Sequence, residues 1–240
     1  VQLQGLVGYE VFKRFVVTID YKHGRLTLTL PSAFSYAGTG ISVPFKFNGQ
    51  IPQVEGEIDG VSGTFDIDTG SRASLTILAP FAEKNNLKAR YQPKVETITG
   101  WGVGGPTRGL VTRAKVLKLG SVIVENPLTE ISVQNKGALT DPYVAGNVGG
   151  GVLKRFNITF DYDKQRLIFE RNADYSQPDD YDRAGLWLNM ANGAFKVMSV
   201  LPGGPAAKAG LKEGDLIVAV NGKTPAELSL PAARRMFMSN

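Results

Sequence analysis

An internal repeat constrains the fold of this 240-residue chain more than any other feature of its sequence. Residues 7–21 recur as residues 148–162 without a gap, and more than half of these positions are identical. The match continues from residues 25–26 to residues 166–167, which is too long a correspondence for chance. A repeat of this kind indicates one supersecondary unit used twice.

Each copy of the repeat predicts a short helix followed by a β-hairpin. In the second copy, Val152, Leu153 and Phe156 have helical spacing, residues 157–162 alternate as a strand does, and residues 163–165 form the turn. The second copy ends a predicted domain, whereas the first copy begins the chain. We therefore expect residues 1–30 to be the helix-and-hairpin tail of a preceding, largely missing lobe of the same kind.

The remaining sequence divides into two further units. The 28 glycines and 13 prolines predict many turns, and turns favour a β-rich fold over a helical bundle. We expect a linker at residues 31–40, a β-rich lobe at 41–171, a second linker at 172–183 and a third unit at 184–240. The predicted fold class is dominated by β-structure, with a β-barrel lobe followed by a small β-rich domain with short helices.

Composition excludes several classes of site. The chain has no cysteine, so disulfides, thiol nucleophiles and cysteine-bound metals are impossible. Its one histidine, His23, falls in a predicted hairpin tip, which argues against a serine triad or a histidine metal site. The net charge of +5 comes without a basic run, so a mixed solvated surface is favoured over nucleic-acid binding. No apolar stretch has the length of a membrane span, and Val1 indicates that the true N-terminus is missing.

Asp68, Thr69, Gly70 and Ser71 place a carboxylate at the end of a predicted strand, on a tight glycine turn. The tripeptide Asp-Thr-Gly is weak evidence by itself, because an ordinary β-turn with an aspartate capping its own backbone has the same composition. The surrounding segments are more informative. A predicted hairpin at 56–65 precedes the motif, and an apolar, β-prone stretch at 73–77 follows it.

The order of segments resembles that of the retropepsin-like aspartic proteases, including the bacterial ones. In that family a strand delivers Asp-Thr/Ser-Gly, a glycine-bearing hairpin flap follows, and an apolar-apolar-glycine segment crosses beneath the active loop. The matching segments are residues 68–70, residues 100–105 and Val144-Ala145-Gly146. The resemblance covers residues of about 45–170.

The resemblance implies that Asp68 is one of two catalytic carboxylates. Two carboxylates close together do not ionise equally, so one activates water while the other donates a proton, with no cofactor or metal. It also implies that the Gly70 N–H points at the carboxylates and that the Thr69 hydroxyl locks two active loops together. Ser71 is expected to add a hydrogen-bond donor to Asp68. The alternative is a protease lobe that has lost turnover.

The flap is predicted at residues 100–104. These substrate-binding candidates are Gly100, Trp101, Gly102, Val103 and Gly104. Glycines allow the tip to bend over an extended substrate, and the tryptophan is expected to cover the cleft. The alternative is a mobile surface loop in which the tryptophan packs on the body of the domain.

Two departures from the family pattern stand out. Asp66 shares a strand face with Asp68, at a position that is usually apolar, and we expect it to be an exposed charge rather than a sign of a less buried strand. The chain also holds only one Asp-Thr-Gly, so the second must come from elsewhere. The repeat favours a fused pseudo-dimer with the missing lobe, and a homodimer is the alternative.

Residues 195–222 closely resemble a PDZ domain, above all in the run Pro205-Ala206-Ala207-Lys208-Ala209-Gly210-Leu211 followed by Gly214-Asp215. The resemblance implies that the loop at Gly185, Leu186 and Trp187 offers N–H groups to the C-terminal carboxylate of a peptide, which adds to the sheet as a strand. Residues 230–238 are expected to form the groove helix, and the last strand of the domain is expected to be missing. The alternative is a unit that only packs on the protease.

Together these features predict an aspartic endopeptidase whose PDZ unit recruits or orients peptide substrates. The expected partners are a peptide or protein substrate, C-terminal peptides and a second protease lobe, with no nucleic acid. A catalytically inactive peptide-binding or regulatory module is the competing hypothesis. The pairing of a hydrolase with a PDZ unit predicts a periplasmic or cell-envelope location.

Overall fold

The structure is a computed structural model that describes residues 5–102 and 104–238. The described residues divide into two compact units, Leu6–Asp179 and the residues from Asp180 onward. Both units are built mainly from β-strands, so the predicted fold class is confirmed. Within the described ranges, no helix has the length and apolar character needed to cross a membrane.

Short strands and four short helices make up the first unit. In chain order its elements are α1 (Tyr9–Arg14), β1 (Val16–Asp20), β2 (Arg25–Thr29), β3 (Ile41–Pro44), β4 (Lys46–Asn48), β5 (Ile51–Ile58), β6 (Val61–Ile67), β7 (Leu75–Ile77), α2 (Ala79–Lys84), α3 (Leu87–Tyr91), β8 (Val95–Gly102), β9 (Gly105–Arg113), β10 (Val116–Leu119), β11 (Val122–Glu125), β12 (Leu128–Ser132), β13 (Gly146–Val148), α4 (Gly150–Leu153), β14 (Phe156–Asp161) and β15 (Arg166–Arg171).

The two copies of the repeat meet in one five-stranded sheet. Its order is β2-β1-β14-β15-β3, so the hairpin of the first copy lies beside the hairpin of the second. The helix and hairpin predicted for each copy are confirmed as α1-β1-β2 and α4-β14-β15. Strands β1 and β14 pair in antiparallel fashion, with Thr18 opposite Thr159.

The second sheet of this unit positions the candidate site. Its order is β11-β10-β5-β6-β13-β7-β12-β9-β8, and β4 also pairs with β5. Strand β13 lies between β6 and β7, parallel to β6 and antiparallel to β7. It therefore places residues that are distant in sequence side by side. Alternate residues of β6, Phe65 and Ile67, are buried in the core. Burying a side chain of this size stabilises the fold by roughly 1.5–3 kcal/mol.

The segment expected to be the second linker, residues 172–183, is divided between the units. Asp179 is buried in the first unit, where its carboxylate lies 2.9 Å from Arg155, and both side chains are less than 5% exposed. Its second oxygen accepts a hydrogen bond from the Leu128 N–H at 2.9 Å. Residues 172–179 therefore belong to the first unit, because a buried carboxylate needs these partners.

A three-stranded sheet and two helices form the second unit. Its elements are β16 (Leu186–Ala191), β17 (Ala194–Val200), α5 (Pro205–Lys208), β18 (Leu216–Ile217) and α6 (Leu230–Met236). The sheet order is β16-β17-β18, which leaves β16 at an edge. Ser229 caps the last helix, because its side chain accepts from the Ala232 N–H.

Strand β18 is shorter than the sequence predicts. The apolar run at residues 215–220 predicts a strand, but only Leu216 and Ile217 pair with β17. Leu216 is 50% exposed and Val218 is 69% exposed. Strand propensity depends on burial against neighbours, and among the described residues only β17 borders this run.

Candidate functional site

Asp68 lies at the turn that follows β6, as the sequence predicts. Its N–H donates to the Val148 carbonyl at 2.9 Å, which ties the start of the loop to β13. The Gly70 N–H donates to Asp68 Oδ1 at 2.8 Å, in agreement with the expected role of this glycine. Asp68 is half-buried, whereas Thr69 and Gly70 are exposed. The backbone of the loop therefore holds one oxygen of the carboxylate, and Thr69 is exposed.

Asn147 is a site residue that the sequence analysis missed. Its side-chain amide donates to Asp68 Oδ2 at 3.1 Å, so each oxygen of the carboxylate has a donor. Asn147 reaches this position because β13 runs parallel to β6 and pairs it with Asp66. No local sequence signal identifies Asn147, because the contact joins strands that are 79 residues apart.

Ser71 differs from its expected role. Its hydroxyl oxygen accepts from the Ala73 N–H at 3.3 Å and does not donate to Asp68. Its backbone N–H instead donates to the Asp68 carbonyl at 3.3 Å. Ser71 thus shapes the loop, and the donor expected from its side chain comes from Asn147.

The glycine beneath the active loop is Gly149, which corrects the expectation for Val144-Ala145-Gly146. The Gly149, Gly150 and Gly151 N–H groups donate to carbonyls of the loop that follows Asp68, at 3.1, 2.7 and 3.0 Å respectively. A Cβ on Gly149 would lie 2.8 Å from the Ser71 carbonyl oxygen, which is closer than real contacts allow. Gly146 lies earlier, where β13 pairs with Phe65 of β6.

Asp66 is half-buried, so the expected exposure of this charge is wrong. Gln53 donates to its Oδ1 at 2.7 Å. Burial raises the pKa of Asp66, the Gln53 bond opposes this, and the charges of Asp141 and Asp68 raise it further. Ionisation of Asp66, which shares a strand face with Asp68, is therefore disfavoured.

Glu130 is a further carboxylate of the same sheet. Pairing aligns Asp66 with Asn147 of β13, Asn147 with Thr76 of β7, and Thr76 with Glu130 of β12. The Thr76 hydroxyl donates to Glu130. Burial raises the pKa of Glu130, and this hydrogen bond opposes the shift. A polar row therefore crosses four adjacent strands at the level of the candidate site.

Tyr21 brings the first copy of the repeat close to Asp68. Its hydroxyl is buried and has no hydrogen-bond partner among the described residues. Burial, with a smaller contribution from the charge of Asp68, raises the pKa of Tyr21 to about 12. The phenol therefore stays neutral at physiological pH. The surroundings of Asp68 are built from both copies, which the sequence did not indicate.

The predicted flap is a β-hairpin. Strands β8 and β9 pair up to Trp101 with Pro106 and Gly102 with Gly105. Trp101 is 43% exposed. Gly100 and Gly104 lie in the same hairpin, in β8 and in its connection, whereas Val103 lies outside the described residues.

Of the residues predicted to bind a peptide, Gly185 precedes β16, whereas Leu186 and Trp187 are the first two residues of that strand. Gly185 has a positive φ of 74°, which glycine adopts without strain. The Gly185 and Leu186 N–H groups donate to one carboxylate oxygen of Asp182, at 2.6 and 2.9 Å. Trp187 is 8% exposed, and helix α6 packs beside β16. The loop thus already holds a carboxylate from its own chain.

Comparison with known proteins gives one family match and several structural neighbours. The PDZ domain family matches residues 196–240. No curated protein sequence matches the chain. A retropepsin-like aspartic protease from Rickettsia conorii is 14% identical, covers 56% of this chain and 96% of its own, and has a TM-score of 0.38. The retroviral protease-like domain of Ddi1 from Leishmania major is 14% identical, covers 52% of this chain and 95% of its own, and has a TM-score of 0.34. The chain combines a segment that matches the PDZ domain family with structural similarity to retropepsin-like aspartic proteases.

Proposed function

We propose that the protein is an aspartic endopeptidase in which Asp68 is one carboxylate of a catalytic pair. The observation that carries this proposal is the loop geometry, in which Gly70 and Asn147 each donate to one oxygen of a half-buried carboxylate at the end of β6. An ionised Asp68 takes a proton from water as the water attacks the peptide carbonyl carbon. The second carboxylic acid protonates the departing amine.

The second carboxylate comes from a lobe related to this one by a local two-fold axis. The pairing of β1 with β14 supports this, because it places the equivalent residues Thr18 and Thr159 opposite each other and pairs their neighbours reciprocally. A preceding lobe that carries β1 and β2 would bring its own active loop to the side of Asp68. A homodimer is the alternative. It is less favoured because β1 already occupies the edge of β14 through which two identical lobes would pair.

The second unit serves to recruit or orient the peptide substrate. Strand β16 is an edge strand with α6 beside it, which is the arrangement that accepts a peptide as an added strand. Free C-terminal peptides are the proposed ligands. Location in the periplasm or cell envelope stays a prediction.

An inactive binding or regulatory module is the second candidate. It is favoured by the single Asp-Thr-Gly of the 240-residue sequence, because the mechanism needs two carboxylates. The two candidates differ in whether the preceding lobe contributes its own Asp-Thr/Ser-Gly.

The test uses the polypeptide that includes the preceding lobe, with Asp68→Asn as the variant. Peptide hydrolysis should be lost while the circular dichroism spectrum is unchanged. Asp163→Asn is the matched control, because it removes the same charge from an exposed turn. A statine-like inhibitor should block the parent enzyme and a chelator should not. Retained hydrolysis in Asp68→Asn would refute the assignment.

The source of the second carboxylate has its own test. The 240-residue chain alone should be monomeric in the ultracentrifuge and inactive in a peptidase assay. Activity that rises with concentration and saturates as dimers form would support the homodimer and overturn the fused arrangement.

A further inference from the structure

We propose that the peptide groove of the second unit is closed by Asp182, whose carboxylate occupies the loop N–H groups that a peptide C-terminus would otherwise bind. This inference rests on the peptide-binding part of the proposed function and not on the protease part. It adds a form of regulation: a free peptide must displace a tethered competitor.

The first observation is the chemistry of the contact. Asp182 Oδ1 accepts from both Gly185 and Leu186, at 2.6 and 2.9 Å. A positive φ at Gly185 turns neighbouring N–H groups toward one side, and such a concave backbone site binds anions. A terminal carboxylate presents the same two oxygens as an aspartate side chain. Asp182 is therefore a chemical match for the expected ligand.

The second observation is that the segment carrying Asp182 is tied to the groove helix. The Arg183 N–H donates to the Phe237 carbonyl at 2.8 Å, immediately after α6 ends. The residue next to Asp182 is thus fixed to one wall of the groove, while Asp182 itself is fixed to the loop that begins the other. Because its segment is fixed close to the loop, the Asp182 carboxylate is at high effective concentration for the Gly185 and Leu186 N–H groups.

The third observation lies along the edge of β16. The Arg234 guanidinium, on α6, donates to the Leu188 carbonyl and lies 3.1 Å from Asn189 Oδ1. It also lies 5.2 Å from the centre of the Trp187 ring. Added strands bind through the backbone groups of an edge strand. In this structure Arg234 of α6 already donates to the Leu188 carbonyl of β16. The groove between β16 and α6 is therefore bridged by Arg234 along β16 and occupied by Asp182 at the loop.

The test measures peptide binding by the whole 240-residue chain. All proteins carry Asp68→Asn, so that hydrolysis cannot remove the probe. The probe is a pool of random octapeptides with free C-terminal carboxylates, captured by immobilised protein and identified by mass spectrometry. The most enriched peptide and its C-terminal amide are then titrated by calorimetry.

Asp182→Ala should bind the free-acid peptide at least tenfold more tightly than the parent and should not gain affinity for the amide. Asp182→Asn keeps the oxygen acceptor but loses the charge, so its gain should be smaller. Asp180→Ala is the matched control, since it removes an exposed charge two residues away. Tryptophan fluorescence, to which Trp101 and Trp187 both contribute, and circular dichroism report whether each variant is folded.

Three outcomes overturn the inference. Equal affinity in the parent and Asp182→Ala would leave the peptide-binding role intact and remove the closure. An equal gain in Asp180→Ala would show a general effect of charge. Capture of no peptide by any variant would remove the peptide-binding role itself, and the protease proposal would still stand on its own test.

Discussion

Thr18 and Thr159 lie opposite each other in the β1–β14 ladder, and their hydroxyl oxygens are 2.8 Å apart. They are equivalent positions of the repeat, 141 residues apart. Their neighbours pair reciprocally: Val17 with Phe160, and Ile19 with Ile158. Since Ile158 is the equivalent of Val17 and Phe160 the equivalent of Ile19, the two strands are related by a local two-fold axis that passes between the threonines.

The two-fold symmetry makes β2 of the first copy equivalent to β15 of the second. Strand β15 is bordered by β3, whereas its equivalent in the first copy, β2, is an edge strand in the described part of the chain. Leu26 and Leu28 of β2 are 46% and 45% exposed. The symmetry supports a sixth strand, equivalent to β3 and supplied by the proposed preceding lobe.

The threonine pair predicts a coupled loss of stability. Thr18→Val and Thr159→Val should each reduce the free energy of unfolding by about 1 kcal/mol, because each leaves a part-buried hydroxyl without its partner. The double variant should lose less than the sum. Urea denaturation provides the measurement. Thr27→Val is the control, since Thr27 is exposed beside Thr18 and should change stability by less than about 0.5 kcal/mol. Additive losses would contradict a direct bond.

The two repeat glycines Gly149 and Gly8 predict opposite results for one chemical change. Gly149→Ala places a methyl group against the Ser71 carbonyl and should cost roughly 1–3 kcal/mol, with a shift of the Gly70 amide signal in NMR spectra. Gly8→Ala meets nothing within 4 Å and has an ordinary φ of −124°. It should be tolerated with a change below about 0.5 kcal/mol. Equal losses of stability in the two variants would mean that close packing at Gly149 does not support the loop that follows Asp68.

The buried ion pair predicts a large penalty for a residue outside any predicted element. Asp179→Ala should destabilise the first unit by about 3–5 kcal/mol, because it leaves the Arg155 charge buried without its partner. Glu57→Ala breaks the exposed pair with Lys118 and should cost about 0–1 kcal/mol. Thermal unfolding of both variants tests the difference. A small loss of stability in Asp179→Ala would indicate that residues 172–179 are a linker rather than part of the first unit.

Asp66 predicts a pH-dependent gain of stability. Burial raises its pKa in the folded state, so the folded protein binds a proton more readily than the unfolded chain. Its contribution to stability is therefore present below the unfolded pKa and falls as pH rises through the folded pKa. Asp66→Asn keeps an acceptor for Gln53 and should stabilise the protein at pH 7 but not at pH 3. Urea unfolding at the two pH values measures this.

Asp20 is the opposite control for the pH experiment. Hydrogen bonds from His23 lower its pKa, so its contribution is present above the unfolded pKa and is lost as pH falls through the folded pKa. Asp20→Asn should therefore destabilise at pH 7 and have little effect at low pH. A change of stability in the same direction for Asp66→Asn and Asp20→Asn at pH 7 would contradict the environment described for one of the two aspartates.

Local patterns in the sequence predicted the local structure well. The helix and hairpin of each repeat and the turn at Asp68 depend on neighbouring residues, and the structure confirms them. Contacts between distant strands could not be predicted. The Asn147 bond to Asp68 and the place of Gly149 beneath the loop both depend on β13 pairing with β6. Asp182 was missed because its segment was taken for a linker.

The pairing of β1 with β14 also sets the order in which the chain can fold. The first hairpin leaves the ribosome early, but its partner strand follows 141 residues later. Closing a loop of that length costs about 4 kcal/mol of chain entropy before β1 can pair with β14. Folding of the five-stranded sheet should therefore be slow compared with that of the second unit, whose strands are adjacent in sequence. Until β14 arrives, the edge of β1 that it will pair with is unpaired, and an exposed strand edge of this kind is prone to aggregation.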